Sequence, residues 1–294
     1  YKDYNNSLKY NKEDIKKVTS QIQKKGYGLL KSVISIKKCN ELIANLKTLQ
    51  NSHSRRYGKS NIYKYKEEAD NYHRRQILIR NLILEKPEIF MPVISLSPVL
   101  NVVSNIFRDQ FIMGGCQASN SLYSKDVKYE LKRHIDSYAA EKDVHNTLQM
   151  LAVICLNDFN TLNGSTKIWP KSHKSGIAIH KHPSLSKKFL CDYKDLIAPQ
   201  GSIAFLLGQT WHAIGKNVNN QDRWGILVDY RRWWMKPAFD FTKCGEKIFN
   251  RLTIEQKILL GFTSIVPKHN NKNRFKTLIK ENQIPRTYKE ALSY

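Results

Sequence analysis

His134 and Asp136 stand two residues apart, and on an extended strand such side chains point to the same face. An imidazole and a carboxylate placed this way can fill two positions around one divalent metal while Ile135 packs the other way. The best donor for a third position is His212, 76 residues beyond Asp136 at the end of the apolar run Ser202–Leu207. Two neutral imidazoles and one carboxylate on one face leave open positions for a co-substrate and oxygen, as in non-haem Fe(II) oxygenases. An HxD pair alone is a weak signal, because chance produces it often. Arg223 strengthens it. It lies eleven residues after His212, across the turn-rich stretch Asn217–Asp222, and a hairpin of that length returns it beside the metal pocket. A buried guanidinium must be matched by an anion, and its planar fork suits the carboxylate of an acidic co-substrate.

Such groups need a rigid frame. Between about Phe111 and Trp234 the chain reads as short strands: Phe111–Cys116, Ser119–Tyr123, Leu148–Leu156, Thr166–Trp169, Ser202–Leu207 and Trp224–Tyr230. Loops rich in Gly, Asn and Asp, such as Asn160–Gly164 and Lys216–Asp222, separate them. Evenly spaced short strands predict a sandwich or double-sheet barrel. Ahead of this block, Ile15, Val18 and Ile22 recur at helical spacing over Glu13–Lys25, and Gly26 sits where a helix-ending glycine belongs. Tyr27–Ile34 reads as extended, and a second helix is expected from Ser35 to about Asn51. Residues 52–75 are polar, basic and aromatic and read as a loop, whereas Glu85–Phe107 reads as helical pieces broken by Pro87, Pro92 and Pro98. After Pro237 the pattern is helical again, with Ile248, Leu252 and Leu259 among the apolar positions. The expected architecture is mainly β with flanking helices. It is a single domain over residues 1–294, with a helical N-terminal part of about 1–107, a core of about 108–236 and a helical extension of about 237–294.

A metal triad with an inward arginine is what 2-oxoglutarate-dependent oxygenases require, and the sequence resembles one family of them, the phytanoyl-CoA dioxygenases. Four stretches carry the likeness: His134-Ile135-Asp136; Asn163-Gly164 through Trp169-Pro170-Lys171-Ser172-His173, similar to the family's NG…PGSH segment; Gly201-Ser202 leading to Trp211-His212-Ala213-Ile214-Gly215-Lys216-Asn217; and Arg223. Gly26-Tyr27 followed by Cys39-Asn40-Glu41-Leu42 resembles the usual opening of the family. The resemblance implies a double-stranded β-helix (jelly-roll, cupin-like) core. It also implies His134, Asp136 and His212 as iron ligands, Arg223 on the distal carboxylate of 2-oxoglutarate, and Gln117 near the co-substrate or substrate. Lys171 departs from the pattern by replacing the Gly of PGSH, and Ile214 stands where a Ser or Thr often assists the arginine. The implied chemistry uses Fe(II), 2-oxoglutarate and O2, with ascorbate expected to stimulate, and yields succinate and CO2. Hydroxylation is the default outcome, and desaturation or ring closure share the same oxidant. Asp136 fills the position that halogenating relatives leave to chloride.

Composition sets the remaining bounds. In 294 residues, 49 Lys and Arg against 25 Asp and Glu give a net charge of +24. The lysines are scattered, with clusters only at Arg55–Arg56, Lys64–Lys66, Arg74–Arg75 and Lys268–Lys276. The scatter favours a proteome-wide composition over a nucleic-acid stripe, so no nucleic-acid partner is expected. An oxygenase acting on nucleic acid and a non-catalytic ligand-binding barrel are the competing classes. No apolar run reaches the ~18 residues of a membrane span. Five cysteines without a CxxC pair argue against a disulfide framework and a zinc-thiolate site, and for a cytoplasmic or other reducing compartment. The chain begins with Tyr1 rather than Met, which leaves room for an upstream targeting segment. Trp169, Trp211 and Trp224 are expected in the core, His173 in ordering its loop, and the His180–His182 stretch in solvent. The expected assembly is a monomer or weak homo-oligomer. The expected substrate is a small anionic molecule, with Arg55–Arg75, Lys132 and Arg133 at the pocket rim.

Overall fold

The computed structural model describes residues 10–57, 76–123, 131–137, 139–182, 184–185, 192–265 and 284–292. Among the described residues, nine strands form two antiparallel sheets. They are β1 (Tyr27–Leu30), β2 (Gln76–Arg80), β3 (Phe111–Ser121), β4 (Gln149–Cys155), β5 (Thr166–Ile168), β6 (Lys194–Asp195), β7 (Ile203–Leu207), β8 (His212–Ile214) and β9 (Arg223–Arg232). The large sheet has the order β1-β7-β4-β9-β3-β2 and the small one β6-β5-β8. The two sheets enclose a cavity in a jelly-roll core, as the resemblance implies. β9 is central, paired along nearly its whole length with β3 on one side and β4 on the other.

The period of two along β9 divides the molecule. Trp224, Ile226, Val228 and Tyr230 are buried in the main core beneath the helices. Their neighbours Arg223, Gly225, Leu227, Asp229 and Arg231 face the cavity between the sheets. The helices covering the outer face are α1 (Lys12–Lys25), α2 (Ile36–Tyr57), α3 (Leu82–Glu85), α4 (Pro87–Ile94), α5 (Ser97–Phe107), α6 (Glu246–Phe249), α7 (Ile254–Leu259) and α8 (Tyr288–Leu292). α1 forms where expected: Asn11 caps it by accepting from the Asp14 N–H, acidic residues occupy its first turn, and Gly26 ends it in a left-handed conformation at φ +87°. It buries Ile15, Val18 and Ile22 against the sheet, each worth roughly 1.5–3 kcal/mol.

The structure corrects the sequence reading in several places. Phe111–Ser121 is one strand, not two: its pairing with β9 runs unbroken from Gly115 to Ser121, through Gln117-Ala118 where a break was expected, and its register shifts only at a bulge between Met113 and Gly115. β2, β6 and β8 are additional strands, too short or too polar to show a period. α2 continues to Tyr57, past the point where a loop was expected. Pro87 and Pro98 start helices, where their missing N–H is harmless, and Pro92 lies inside α4. Among the described residues no single helix is long and apolar enough to cross a membrane. α4 and α5 are apolar because they pack in the core, with Phe90, Met91, Val102 and Ile106 fully covered.

Candidate active site

His134 is not on a strand. It makes an isolated bridge with His212, each donating its backbone N–H to the other's carbonyl at 3.0 Å. The chain then bends, and the N–H groups of Asp136 and Ser137 both donate to the Gly208 carbonyl. The bend replaces the expected strand and still brings both side chains to one point. Nε2 of His134 lies 3.6 Å from Asp136 Oδ1, and Nε2 of His212 lies 3.5 Å from Asp136 Oδ2. The ligand atoms of the three residues lie within 4.8 Å of one another, a group able to hold a metal ion.

Backbone carbonyls set the tautomers. His134 Nδ1–H donates to Lys132 O at 3.2 Å and His212 Nδ1–H to Thr210 O at 2.9 Å, which leaves each Nε2 lone pair directed at the common point. Burial, reinforced by His212, pushes the His134 imidazole down to about 4, so the ring is neutral near pH 7 and can act as a ligand. The support extends to α1, because Thr210 Oγ1 donates to the carbonyl of Gly26. The His173 ring, fully buried, donates from Nε2 to Gln23 O and orders its loop as expected.

Arg223, at the start of β9, opens onto the same cavity, which measures about 330 Å³. β8 and β9 belong to different sheets, so the expected hairpin does not exist; the turn crosses from the small sheet to the large one. The guanidinium is 5% exposed, lies 4.2 Å from the Phe159 ring, and donates to Asn163 O at 3.2 Å and Gly164 O at 2.7 Å. Burial lowers its pKa to about 10, leaving it charged near pH 7. Among the described residues no carboxylate pairs with it. A buried cation whose neighbours are carbonyls has an anion's place beside it.

The profile of one family, "Phytanoyl-CoA dioxygenase (PhyH)", matches residues 22–225. The chain belongs to the phytanoyl-CoA dioxygenase family. It is an iron- and 2-oxoglutarate-dependent oxygenase by class. Solved structures share the fold at low identity. The non-heme alpha-ketoglutarate-dependent epimerase SnoN from nogalamycin biosynthesis superposes with a TM-score of 0.58 at 11% identity, covering 75% of this chain and 82% of SnoN. HygX from Streptomyces hygroscopicus, solved with nickel and 2-oxoglutarate bound, gives 0.58 at 12% identity, covering 78% and 90%. SnoN in complex with Fe3+, alpha-ketoglutarate and nogalamycin RO gives 0.57 at 12%, covering 82% and 91%. No curated protein sequence matches the chain.

The phytanoyl-CoA dioxygenase motifs acquire physical roles here. Asn163-Gly164 supplies the two carbonyls that hold Arg223. Gly164 adopts φ +75°, and a Cβ there would sit 2.5 Å from Ser121 Oγ, so only glycine fits. Asn217 ties the turn ahead of Arg223 by donating to Ser121 O and Gln221 O. Lys171, replacing the family's glycine, keeps the left-handed conformation at φ +68°. Ile214 lines the cavity where a hydroxyl was the family norm, so the Arg223 contacts come from carbonyls instead. Gln117 lies half-buried on the cavity face of β3, between Arg80 of β2 and Leu227 of β9.

The expected rim is replaced by other groups. Arg133 is buried against the Trp169 ring, 5.1 Å from its centroid, and Lys132 is exposed; neither lines the cavity. The Arg55–Arg75 segment, apart from the backbone of α2, and the Lys268–Lys276 cluster lie outside the described residues. The cations that do line the cavity are Arg80 and Arg231, with Asp229 beside the latter. Sequence reasoning missed all three. Their one signal was the odd-numbered register they share with Arg223 or, for Arg80, with Gln76. The three tryptophans are core, and Trp211 Nε1 donates to Ile177 O.

Proposed function

We propose that this oxygenase oxidises an unactivated C–H bond of a small carboxylated molecule, with His134, Asp136 and His212 as the iron ligands and Arg223 on the distal carboxylate of 2-oxoglutarate. The observation that carries the reading is one cavity holding both the converged His–Asp–His donors and an unpaired, buried arginine. The donor set fits iron: two imidazoles with fixed tautomers and one carboxylate, on one face, leaving the opposite positions free. Related folds bind the same pair of groups, since SnoN holds iron with alpha-ketoglutarate and HygX holds nickel with 2-oxoglutarate. When bound, Fe(II) with 2-oxoglutarate and O2 supplies the oxidising power, consuming the co-substrate to succinate and CO2.

The chain's own residues do the rest. Lys132 O and Thr210 O hold the imidazole rings in orientation. Arg223, itself fixed by Asn163 and Gly164, sets the direction in which a dicarboxylate enters. Leu151, Val153, Leu206 and Leu227 give the cavity apolar walls that exclude water. Gln117 offers an amide to the co-substrate or substrate. Arg80, without an acidic partner among the described residues, supports an anionic substrate. Hydroxylation is the default outcome, and Asp136 leaves no carboxylate-free position for a halide. Four described cysteines are free thiols, in keeping with a reducing compartment. The test is succinate formation from 2-oxoglutarate under Fe(II), ascorbate and O2 across a panel of small acids and their methyl esters. Succinate release stimulated by acids and not by esters supports the reading. Absence of any 2-oxoglutarate consumption overturns it.

A further inference from the structure

At the end of β9 away from Arg223, Asp229 and Arg231 share the cavity face and are joined by a hydrogen bond from Nε to Oδ2 of 2.6 Å. Asp229 is about 20 Å along the strand from Arg223, six residues at ~3.3 Å each, and Arg231 lies two residues further on. Asp136 is near enough to Asp229 for the two carboxylates to repel, which puts this pair on the metal's side of the cavity. Arg231 also donates from Nη1 to Lys236 O. The Gln149 side chain, on the neighbouring strand opposite Arg231, lies close enough to the Asp229 carboxylate to favour its charged form. That leaves two buried acceptors without hydrogen bonds, Asp229 Oδ1 and Gln149 Oε1. Orphaned buried acceptors are costly unless a ligand completes them.

The Gly114-Gly115 bulge in β3 is shaped around this pair. A Cβ on Gly114 would come within 2.4 Å of Asp229 Oδ2 and collide with Arg231 Nε, so the bare backbone seats the ion pair. Gly115 lies directly opposite Asp229, and a Cβ there would meet nothing within 4 Å. The cavity is therefore open at Gly115, next to the Asp229 side chain. Arg80 borders the same opening from β2 beyond Gln117, exposed and without an acidic partner among the described residues.

We propose that this cluster is the headgroup pocket for an α-amino acid. Its ammonium lies against Asp229 and Gln149 Oε1, its carboxylate against Arg231 and Arg80, and its side chain runs toward the His–Asp–His site. Adjacent opposite charges in one cavity complement a zwitterion better than a simple acid, and two orphaned oxygens match the several N–H groups of an ammonium. The proposal rests on the oxygenase reading for its chemistry, but binding tests it separately.

The experiment loads the full-length protein with Ni(II) and 2-oxoglutarate and measures dissociation constants calorimetrically for norleucine, hexanoate and pentylamine. Norleucine is expected to bind at least about tenfold tighter than either single-charge probe. Asp229→Asn keeps an oxygen for Arg231 but turns Oδ1 into an amide donor. It should weaken norleucine about ten- to a hundredfold and hexanoate less than twofold. Gly115→Val fills the opening and should abolish norleucine binding at an unchanged thermal midpoint. Equal affinity for norleucine and hexanoate, no binding of norleucine, or parallel losses for both probes in Asp229→Asn overturns the proposal. Failure of 2-oxoglutarate to bind the nickel protein, with norleucine still selected, overturns the co-substrate reading alone.

Discussion

The two faces of β9 are made by the same ten residues and obey different rules. On the outer face, Arg232 donates to three backbone carbonyls, those of Thr147, Phe107 and His145, and fixes the end of α5. Every hydrogen-bonding arm is used, and the residues beside it are Trp224, Ile226, Val228 and Tyr230, all nearly inaccessible. On the inner face, Arg223 keeps part of its guanidinium free beside a cavity, and Asp229 keeps one oxygen without a partner. Arg232, on the half that holds the fold together, is completed. Arg223 and Asp229, on the half that lines the cavity, are not. Polar residues alone do not distinguish the faces, since both carry arginine and the Trp224 indole N–H on the outer face also lacks a partner; how fully each charged group is satisfied does.

This contrast can be broken by substitution, taking the largest effect first. His134→Ala or His212→Ala removes one of the three proposed metal donors and should bring turnover to background and abolish tight Fe(II) binding, with little change in the thermal midpoint. Full turnover in either variant would remove the triad. Arg223→Leu should cost about 2–5 kcal/mol of 2-oxoglutarate affinity while Fe(II) binding persists, as expected when one partner of a desolvated charge pair is deleted. An unchanged co-substrate affinity, measured by titration of the metal-loaded protein, would mean that another cation does this work. On the outer face the outcome should reverse. Ile226→Ala opens a cavity in the core and should lower unfolding free energy by about 2–5 kcal/mol in denaturant melts, leaving the 2-oxoglutarate affinity of the folded protein within about twofold. The smallest change sharpens the contrast from outside the sheet. Lys171→Gly relieves a left-handed conformation at a side chain that points to solvent, and should stabilise by up to about 1 kcal/mol without touching activity.

The site was more legible than the frame. The HxD pair, His212 and Arg223 could be read because ligand chemistry restricts residue type, and few types coordinate metals or pair with carboxylates. The long strands β4, β7 and β9 showed in their apolar runs. β8, with three residues, could not, because a segment that short carries no period. β3 was divided in two at Gln117-Ala118, where the residues show no clear alternation and only the pairing with β9 reveals that the ladder continues. The rim was misjudged for a related reason. Lys132 and Arg133 adjoin the proposed metal ligands in sequence, yet the chain bends there and takes Arg133 to Trp169. Arg80 and Asp229, remote in sequence, arrive through strand pairing.

By itself the sequence determined which groups could bind a metal and a dicarboxylate, where α1 starts and stops, and that short strands dominate the middle of the chain. These are local properties, set by residue type, spacing and backbone preference within a few positions. Only the tertiary structure decided that His134 meets His212 across a single bridge, that Arg223 reaches the cavity from the opposite sheet, and that Asp229 and Arg231 rest on Gly114 beside an open space. Those facts depend on pairing between segments dozens of residues apart. A shift of one residue in that register would exchange the faces of β9, placing Trp224 in the cavity and Arg223 in the apolar core.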